Sequence, residues 1–355
     1  MNSWDVIISG AGIIGVSLAL ELRERGATVL VLDKSEPGQE ASSAAAGMLA
    51  AGGFETPPAL CPLALQSARM FPEYIRKLEA LSGVKTDFRQ HGTIVFQDNG
   101  STAPALYKKL GSDDLRRLEP PLHNPGQEAF FVQEDTVDPR LLMQAALAAA
   151  HKSGVDIRGN TKVLEIRSAG SSVEVETAGT TRPICGRAAV NCQGAWAGAP
   201  VKPRKGQMLY VCPEKKDLLQ HVVHAPEVYI VPRSSGKILI GATVEDVGFD
   251  KAVAPSTIQQ LLNAAARYLP ELESAPIVES WAGLRPGTPD DLPILGPTDM
   301  PNVFAATGHF RNGILLAPIT AKIMANLIMG QPVQYEISSF SPARFGHEHV
   351  LQHSR

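Results

Sequence analysis

The sequence predicts a mixed α/β fold in which one domain, with a largely parallel sheet, is assembled from discontinuous segments. A second, antiparallel α+β domain is inserted into it. Three observations predict this. A G-x-G-x-x-G turn joins a short apolar strand to a helix at residues 10–15. Strand–helix pieces of the parallel type recur mid-chain and near the end, and strand-rich stretches are interleaved between them.

The elements follow in order. DVIISG is a β-branched strand ending in glycine, and IIGVSLALELRERG carries apolar residues at helical spacing, with Arg23 and Arg25 in its last turn and Gly26 as its stop. TVLVLD is apolar throughout, as strands covered on both faces are. A loop of small residues, QEASSAAAGMLAAGG, comes next, then a helix over 62–82 and the strand HGTIVFQD. In DPRLLMQAALAAAHKSG, Asp138 suits the N-cap, Pro139 the first turn and Gly154 the stop. The strands VDIRG, KVLEIRS, SSVEVET and AAVNCQGAW follow. Residues 202–281 are strand-rich (QMLYVCP, EVYIVPR, GKILIGATV, APIVESWAG), interrupted by one helix over 256–268. NVFAATG is another buried strand leading into an apolar helix around 314–329, and the chain from Ser338 reads as a loosely held tail. The resulting division assigns 1–85, 139–200 and 284–340 to the first domain and 86–138 and 201–283 to the second. Residues 341–355 form the tail.

Composition sets the bounds. A chain of 355 residues suits about two domains. At 44% hydrophobic and 19% charged it can build a sizeable core. A net charge of −3 without a long basic run argues against nucleic acid or an anionic membrane as the main partner. The four cysteines share no CxxC spacing, which weakens both a zinc site and a disulfide framework, so no metal is expected. The apolar start lacks a basic flank and is broken by glycines, unlike a signal peptide or a membrane span. The expectation is a soluble, cytoplasmic protein.

The chemistry begins at the glycine turn. Gly10 permits the tight turn, Gly12 lets the backbone approach a pyrophosphate, and Gly15 lets helix and strand pack closely. The helix N-terminus then offers free N–H groups to the phosphates. Asp33 closes the second strand, placed to accept from ribose hydroxyls. These features point to a Rossmann-like dinucleotide site and leave NAD and FAD open. AAVNCQGAW ends in Gly194 followed by Trp196, and NVFAATGHFRNGI ends a strand in Gly308 before a helix. A second strand–glycine–helix element suits an isoalloxazine ring, because a helix N-terminus aimed at its N1–C2=O edge stabilises negative charge there. It is equally the form of a plain strand-to-helix turn.

Arg285, in WAGLRPGTPDDLPILG, and Arg311, before the last helix, are either solvated loop arginines or guanidiniums presented to a carboxylate. Tyr229 is either an ordinary strand tyrosine or a substrate contact. His221 and His224 have no carboxylate at ligand spacing and are expected at the surface, whereas His309 is placed to hydrogen-bond a cofactor. Asp290 and Asp291 read as a turn. No nucleophile motif is present, as suits hydride chemistry.

With these residues in hand, the sequence resembles the glycine oxidase and D-amino acid oxidase family of FAD enzymes, its bacterial glycine oxidase branch above all. The resemblance runs over nearly the whole chain through IISGAGIIG, SSAAAGML, YIVPRSSGKILIGATV, WAGLRPGT and GHFRNGILLAP, in that order. It implies that Arg285 pairs with a substrate carboxylate, that Arg311 helps bind substrate, and that Tyr229 sets a hydroxyl over it. It places flavin contacts on Ile13 and Ile14, on Asp33 and Lys34, and on Ala41 and Ser42. Further contacts fall on Ala46, Gly47 and Met48, on Val163, and on His309, Phe310, Arg311, Asn312, Gly313, Ile314 and Leu315. Where similar glycine oxidases have methionine after GAT this chain has Val244, a smaller pocket wall. Asp33 replaces the commoner, longer glutamate. No cysteine falls in the motif by which sarcosine oxidases attach their flavin, so the FAD is expected to be non-covalent.

The expected activity is oxidative deamination of glycine or a small D-amino acid, sarcosine included, by hydride transfer from Cα to flavin N5. Dioxygen is then reduced to hydrogen peroxide, and the imino acid hydrolyses to a 2-oxo acid and ammonia. The alternative is an FAD-dependent dehydrogenase of proline-like or N-methyl amino acids that uses a quinone or another acceptor. The resemblance further implies a homo-oligomer, dimer or tetramer, and by analogy a role in thiamine biosynthesis.

Overall fold

A computed structural model describes residues 4–346. The chain opens with β1 (Trp4–Ser9), α1 (Ile13–Glu24), β2 (Val29–Leu32), a short α2 (Ala41–Ala44) and the long α3 (Cys61–Ser82). Next come β3 (Thr93–Gln97), β4 (Lys108–Leu110), α4 (Ser112–Leu118), β5 (Glu128–Val132) and α5 (Pro139–Lys152). Then follow β6 (Asp156–Arg158), β7 (Val163–Ala169), β8 (Ser172–Thr177), β9 (Ile184–Asn191) and β10 (Lys202–Val211). The remainder is β11 (Val222–His224), β12 (Tyr229–Pro232), β13 (Ile238–Gly241), α6 (Pro255–Ala266), β14 (Ile277–Gly287), β15 (Ile294–Pro297), β16 (Val303–Thr307) and α7 (Gly313–Ile328).

Two eight-stranded sheets result. The first runs β15-β16-β9-β1-β2-β6, with β8 also on β9 and β7 on β8. Its centre is parallel, β1 pairing with both β2 and β9. The period-two alternation of those strands explains its two cores. Val6, Ile8, Val29 and Val31 pack with helices α1, α3, α5 and α7 on one face. Ile7, Leu30 and Leu32 pack against Val163, Val173 and Val175 of the β7–β8 hairpin on the other. The second sheet runs β14-β10-β13-β12-β11-β3-β5-β4. It is antiparallel except at β11–β3. Its core joins Leu209, Ile230 and Ile240 to Leu261 and Leu262 of α6. Strands of the first sheet come from residues 4–32, 156–191 and 294–307, and those of the second from 93–132 and 202–287.

Local chemistry sets the helix ends. The Asp138 carboxylate accepts from the Arg140 and Leu141 N–H groups at 2.9 and 3.2 Å, satisfying donors that the helix itself leaves free. Among the described residues no helix is long and apolar enough to cross a membrane. The segment from Ser338 corrects its expectation. It forms two 3₁₀ turns, Ser338–Phe340 and Pro342–Phe345, with Phe340 only 1% exposed. Arg344 donates to Asp290 at 2.8 Å and to the Leu292 carbonyl at 2.8 Å. Burial of the aromatic ring and this anchor hold it down. Of the tail expected over 341–355, residues 347–355 lie outside the described residues.

Candidate active site

A cavity of about 1330 Å³ runs from the carboxyl end of β1 toward the second sheet. That exceeds the roughly 300–1,000 Å³ of a typical small-molecule pocket. At one end lies the glycine turn. Gly10 adopts φ +111°, and a Cβ there would lie 2.2 Å from the Cys192 carbonyl, so the backbone itself forms the wall. Gly10, Gly12, Ile13 and Ile14 line the cavity, whereas Gly15 packs behind it, where a Cβ would strike the Gly10 carbonyl at 2.0 Å. Ser42 accepts from the Ile13 N–H at 2.9 Å. Asp33 accepts from the Ala11 N–H at 2.7 Å and the Ser35 N–H at 3.0 Å, which ties strand end to turn.

Further along, Ala41, Ala46, Gly47, Met48, Val163 and Gly194 contribute to the wall. The buried Arg233 donates to the carbonyls of Ala46, at 2.5 Å, and Val137, at 3.1 Å, and so clamps the small-residue loop. The Lys34 ammonium lies 3.3 Å from the centre of the Trp196 ring, a close cation–π contact. Gln193, in the same wall, donates to Ser9 Oγ at 2.5 Å, while its Oε1 is buried without a partner.

The other end is built by β12, β14 and the approach to α7. Arg285 is half-buried on β14; its Nη1 donates to the Thr243 carbonyl at 3.0 Å, and among the described residues no carboxylate forms an ion pair with it. Tyr229 faces the same space from β12, its ring packed where a Cβ on Gly241 would come within 2.7 Å. Burial pushes its phenol upward, outweighing the opposing charge of Arg285, so the hydroxyl stays protonated. Val244, on the loop after β13, is 45% exposed at the rim. His309, Phe310, Arg311, Gly313 and Ile314 complete the wall. Gly308, Asn312 and Leu315 stand behind it: Gly308 packs against Thr288, the Asn312 N–H caps the His309 carbonyl, and the Leu315 carbonyl accepts from Ser67. His309 is held neutral by burial, its pKa drawn down to about 3, with Nε2 3.1 Å from Thr320 Oγ1.

Two residues of this end escaped the sequence reading. Glu55, from the loop before α3, forms an ion pair with Arg311. Burial raises its pKa, but the hydrogen bond and charge of Arg311 outweigh burial and keep it ionised. His224, expected at the surface, instead lines the cavity on β11. Burial lowers its pKa; Glu55 opposes that and Arg311 adds to it, leaving the imidazole neutral. His221 also departs from expectation, being largely buried with Nδ1 2.7 Å from Glu119. His221 immediately precedes β11 and meets Glu119, whereas His224 ends the strand at the cavity. Asp290 and Asp291 sit in a turn away from the cavity, Asp291 at φ +56°. Among the described residues no group of three or more His, Cys, Asp or Glu side chains could hold a metal ion.

A model of the FAD dependent oxidoreductase family matches residues 5–327. The chain belongs to that family. It is 35% identical over 370 residues to the glycine oxidase of Geobacillus kaustophilus, with 97% of each chain covered. The crystal structure of glycine oxidase from that organism superposes with a TM-score of 0.90 over 96% of this chain and 98% of the other, at 33% identity. The bifunctional protein ThiO/ThiG of Trichormus variabilis is 39% identical over 96% of this chain, which spans 55% of that protein's length. The crystal structure of iminodiacetate oxidase from Chelativorans sp. BNC1 gives a TM-score of 0.85 at 27% identity, over 95% and 98% of the two chains.

The residues present fit FAD, the family's cofactor. The orphaned Gln193 Oε1 is an acceptor awaiting a donor, and a Cβ on Gly12 would crowd Ser42 Oγ at 3.1 Å, beside the backbone cradle. Gly10, Gly12 and the α1 N-terminus would hold the pyrophosphate, Asp33 the ribose, and the α7 N-terminus the ring.

Proposed function

We propose that this chain oxidises a small amino acid, glycine or a short D-amino acid, to its imino acid. Bound FAD supplies the two-electron acceptor for the Cα hydride. The observation that carries the reading is Arg285, a cavity cation that donates to the Thr243 carbonyl, lies in hydrogen-bond contact with Tyr229 and, among the described residues, forms no ion pair with a carboxylate. It grips the substrate carboxylate, and the protonated Tyr229 hydroxyl donates to the same group. The Arg311–Glu55 ion pair lines the same cavity. His224 and His309 are both neutral, and the positive charge of Arg285 disfavours an ammonium beside it, so the amine enters deprotonated. Positioning then supplies much of the rate, worth up to about 7–11 kcal/mol in ideal cases. Dioxygen is the terminal acceptor in this proposal, yielding hydrogen peroxide, and water splits the imino acid to a 2-oxo acid and ammonia.

The proposal includes non-covalent FAD. Cys192 lines the cavity, but burial raises its thiol pKa and keeps it protonated, an unreactive state. It also includes the two-domain division along the two sheets, a homo-oligomer, a cytoplasmic setting and a role in thiamine biosynthesis. The test is anaerobic bleaching of the flavin absorbance by a panel of glycine, D- and L-amino acids and N-methyl amines, followed by peroxide assay in air. Bleaching by none of them overturns the proposal. Turnover only with an artificial acceptor would make the enzyme a dehydrogenase.

A further inference from the structure

The substrate end holds two arginines, and among the described residues one of them has an acidic ion-pair partner. Arg285 has no carboxylate partner among the described residues, whereas Arg311 is paired with Glu55. The two members of that pair reach the cavity from separate segments. Arg311 comes from the turn before α7, and Glu55 from the loop between Met48 and α3. That loop has its own footing: Leu49 N–H donates to the Asp135 carbonyl at 3.0 Å, and the Phe54 ring stands edge-on to Tyr107 at 5.2 Å. Glu55 therefore owes its place to loop packing and does not depend on Arg311 alone.

The charges around this space define what can enter. Tyr229, His224 and His309 are uncharged. Glu55 is ion-paired with Arg311 and also feels the charge of Arg285, so the two guanidiniums and one carboxylate together leave one net positive charge, matched by one substrate carboxylate. An amino acid with a second anionic group would need Arg311 as well, and Glu55 already occupies it. The pair is half-exposed, with 35% and 56% of the two side chains accessible. It is therefore not a deeply buried bridge whose loss would endanger the fold.

We infer that Glu55 is a specificity-determining residue: by occupying Arg311 it restricts the site to amino acids with a single carboxylate and excludes those with a second one, such as N-carboxymethyl amino acids. This rests on the proposed amino acid oxidation and names the substrate class of that same site. Removing the charge while keeping the shape converts Arg311 into a second carboxylate subsite.

The experiment uses the purified holoenzyme and the variants Glu55→Gln, Glu55→Ala and Glu55→Asp, with glycine and iminodiacetate as substrates. For Glu55→Gln and Glu55→Ala the ratio of kcat/KM for iminodiacetate to that for glycine should rise at least about tenfold, mainly through KM for iminodiacetate. Glu55→Asp retains the charge and should keep the parent ratio. A ratio unchanged in both neutral variants overturns the inference. A calorimetric titration with acetate and malonate separates the two failures. If no amino acid is oxidised by any form, the proposed function falls, and the inference is still decided by whether malonate gains about tenfold in affinity over acetate in the neutral variants.

Discussion

A β-carbon on Gly206 would lie 2.3 Å from Nη1 of Arg285, so the guanidinium occupies the volume that any larger residue at 206 would fill. The register explains the contact. Gly206 of β10 faces Gly283 of β14, and Arg285 is its diagonal neighbour. Substituting Gly206→Ala should displace the guanidinium without touching the nucleotide end. KM for the amino acid should rise by about tenfold or more while FAD content stays at the parent level. Parent-like kinetics would show that the guanidinium position is not needed.

Arg285→Leu removes the cation itself. Leaving a desolvated carboxylate unpaired costs about 2–5 kcal/mol, so KM should rise by about 30-fold or more with the flavin spectrum intact. Steady-state kinetics decide this, and an unchanged KM refutes the carboxylate assignment.

Glu134 makes stability depend on pH. Burial drives its carboxyl up to about 7 against the Ala51 N–H, which favours the ionised form, and its Oε1 has no partner. Between the ordinary value of 4.5 and about 7 the folded chain keeps a proton that the unfolded chain has released. Stability therefore falls as pH rises through that window and levels off above it. Glu134→Gln should match the parent near pH 4 and exceed it at pH 8 by on the order of 2–3 kcal/mol. Urea unfolding across pH 4–8.5 tests this, and a difference that does not vary with pH would contradict it.

Phe340 anchors the C-terminal turns. Phe340→Ala should cost about 3–5 kcal/mol through lost burial and a cavity, read as a lower Tm in thermal unfolding. A loss below about 1 kcal/mol would mean the segment contributes little to the fold.

Local signals made much of the fold legible. The turn Gly10–Gly15 and the Asp138–Pro139 helix start depend on residues adjacent in sequence, so their chemistry announces them. Strands β4 and β11 are illegible in the sequence because each spans three residues; β4 is mostly charged and exposed, and register with a neighbour makes it a strand. The tail was misread for a similar reason. Phe340 and Arg344 look like isolated residues until the Phe340 ring joins the core and Asp290, 54 positions away from Arg344, accepts from its guanidinium.

The residue order by itself determined the glycine turn and the alternation of the central strands, because each depends on spacing along one strand or turn; Arg285, Arg311 and Tyr229, on three separate elements, are joined as a set only by the family resemblance. Only the tertiary structure decided that Glu55 reaches Arg311, that Arg285 forms no ion pair with a carboxylate among the described residues, and that His224 enters the cavity uncharged. Those outcomes depend on desolvation and on charges brought together from residues 55, 224, 285 and 311. Electrostatic interaction follows distance in space, and spacing along the chain does not encode it.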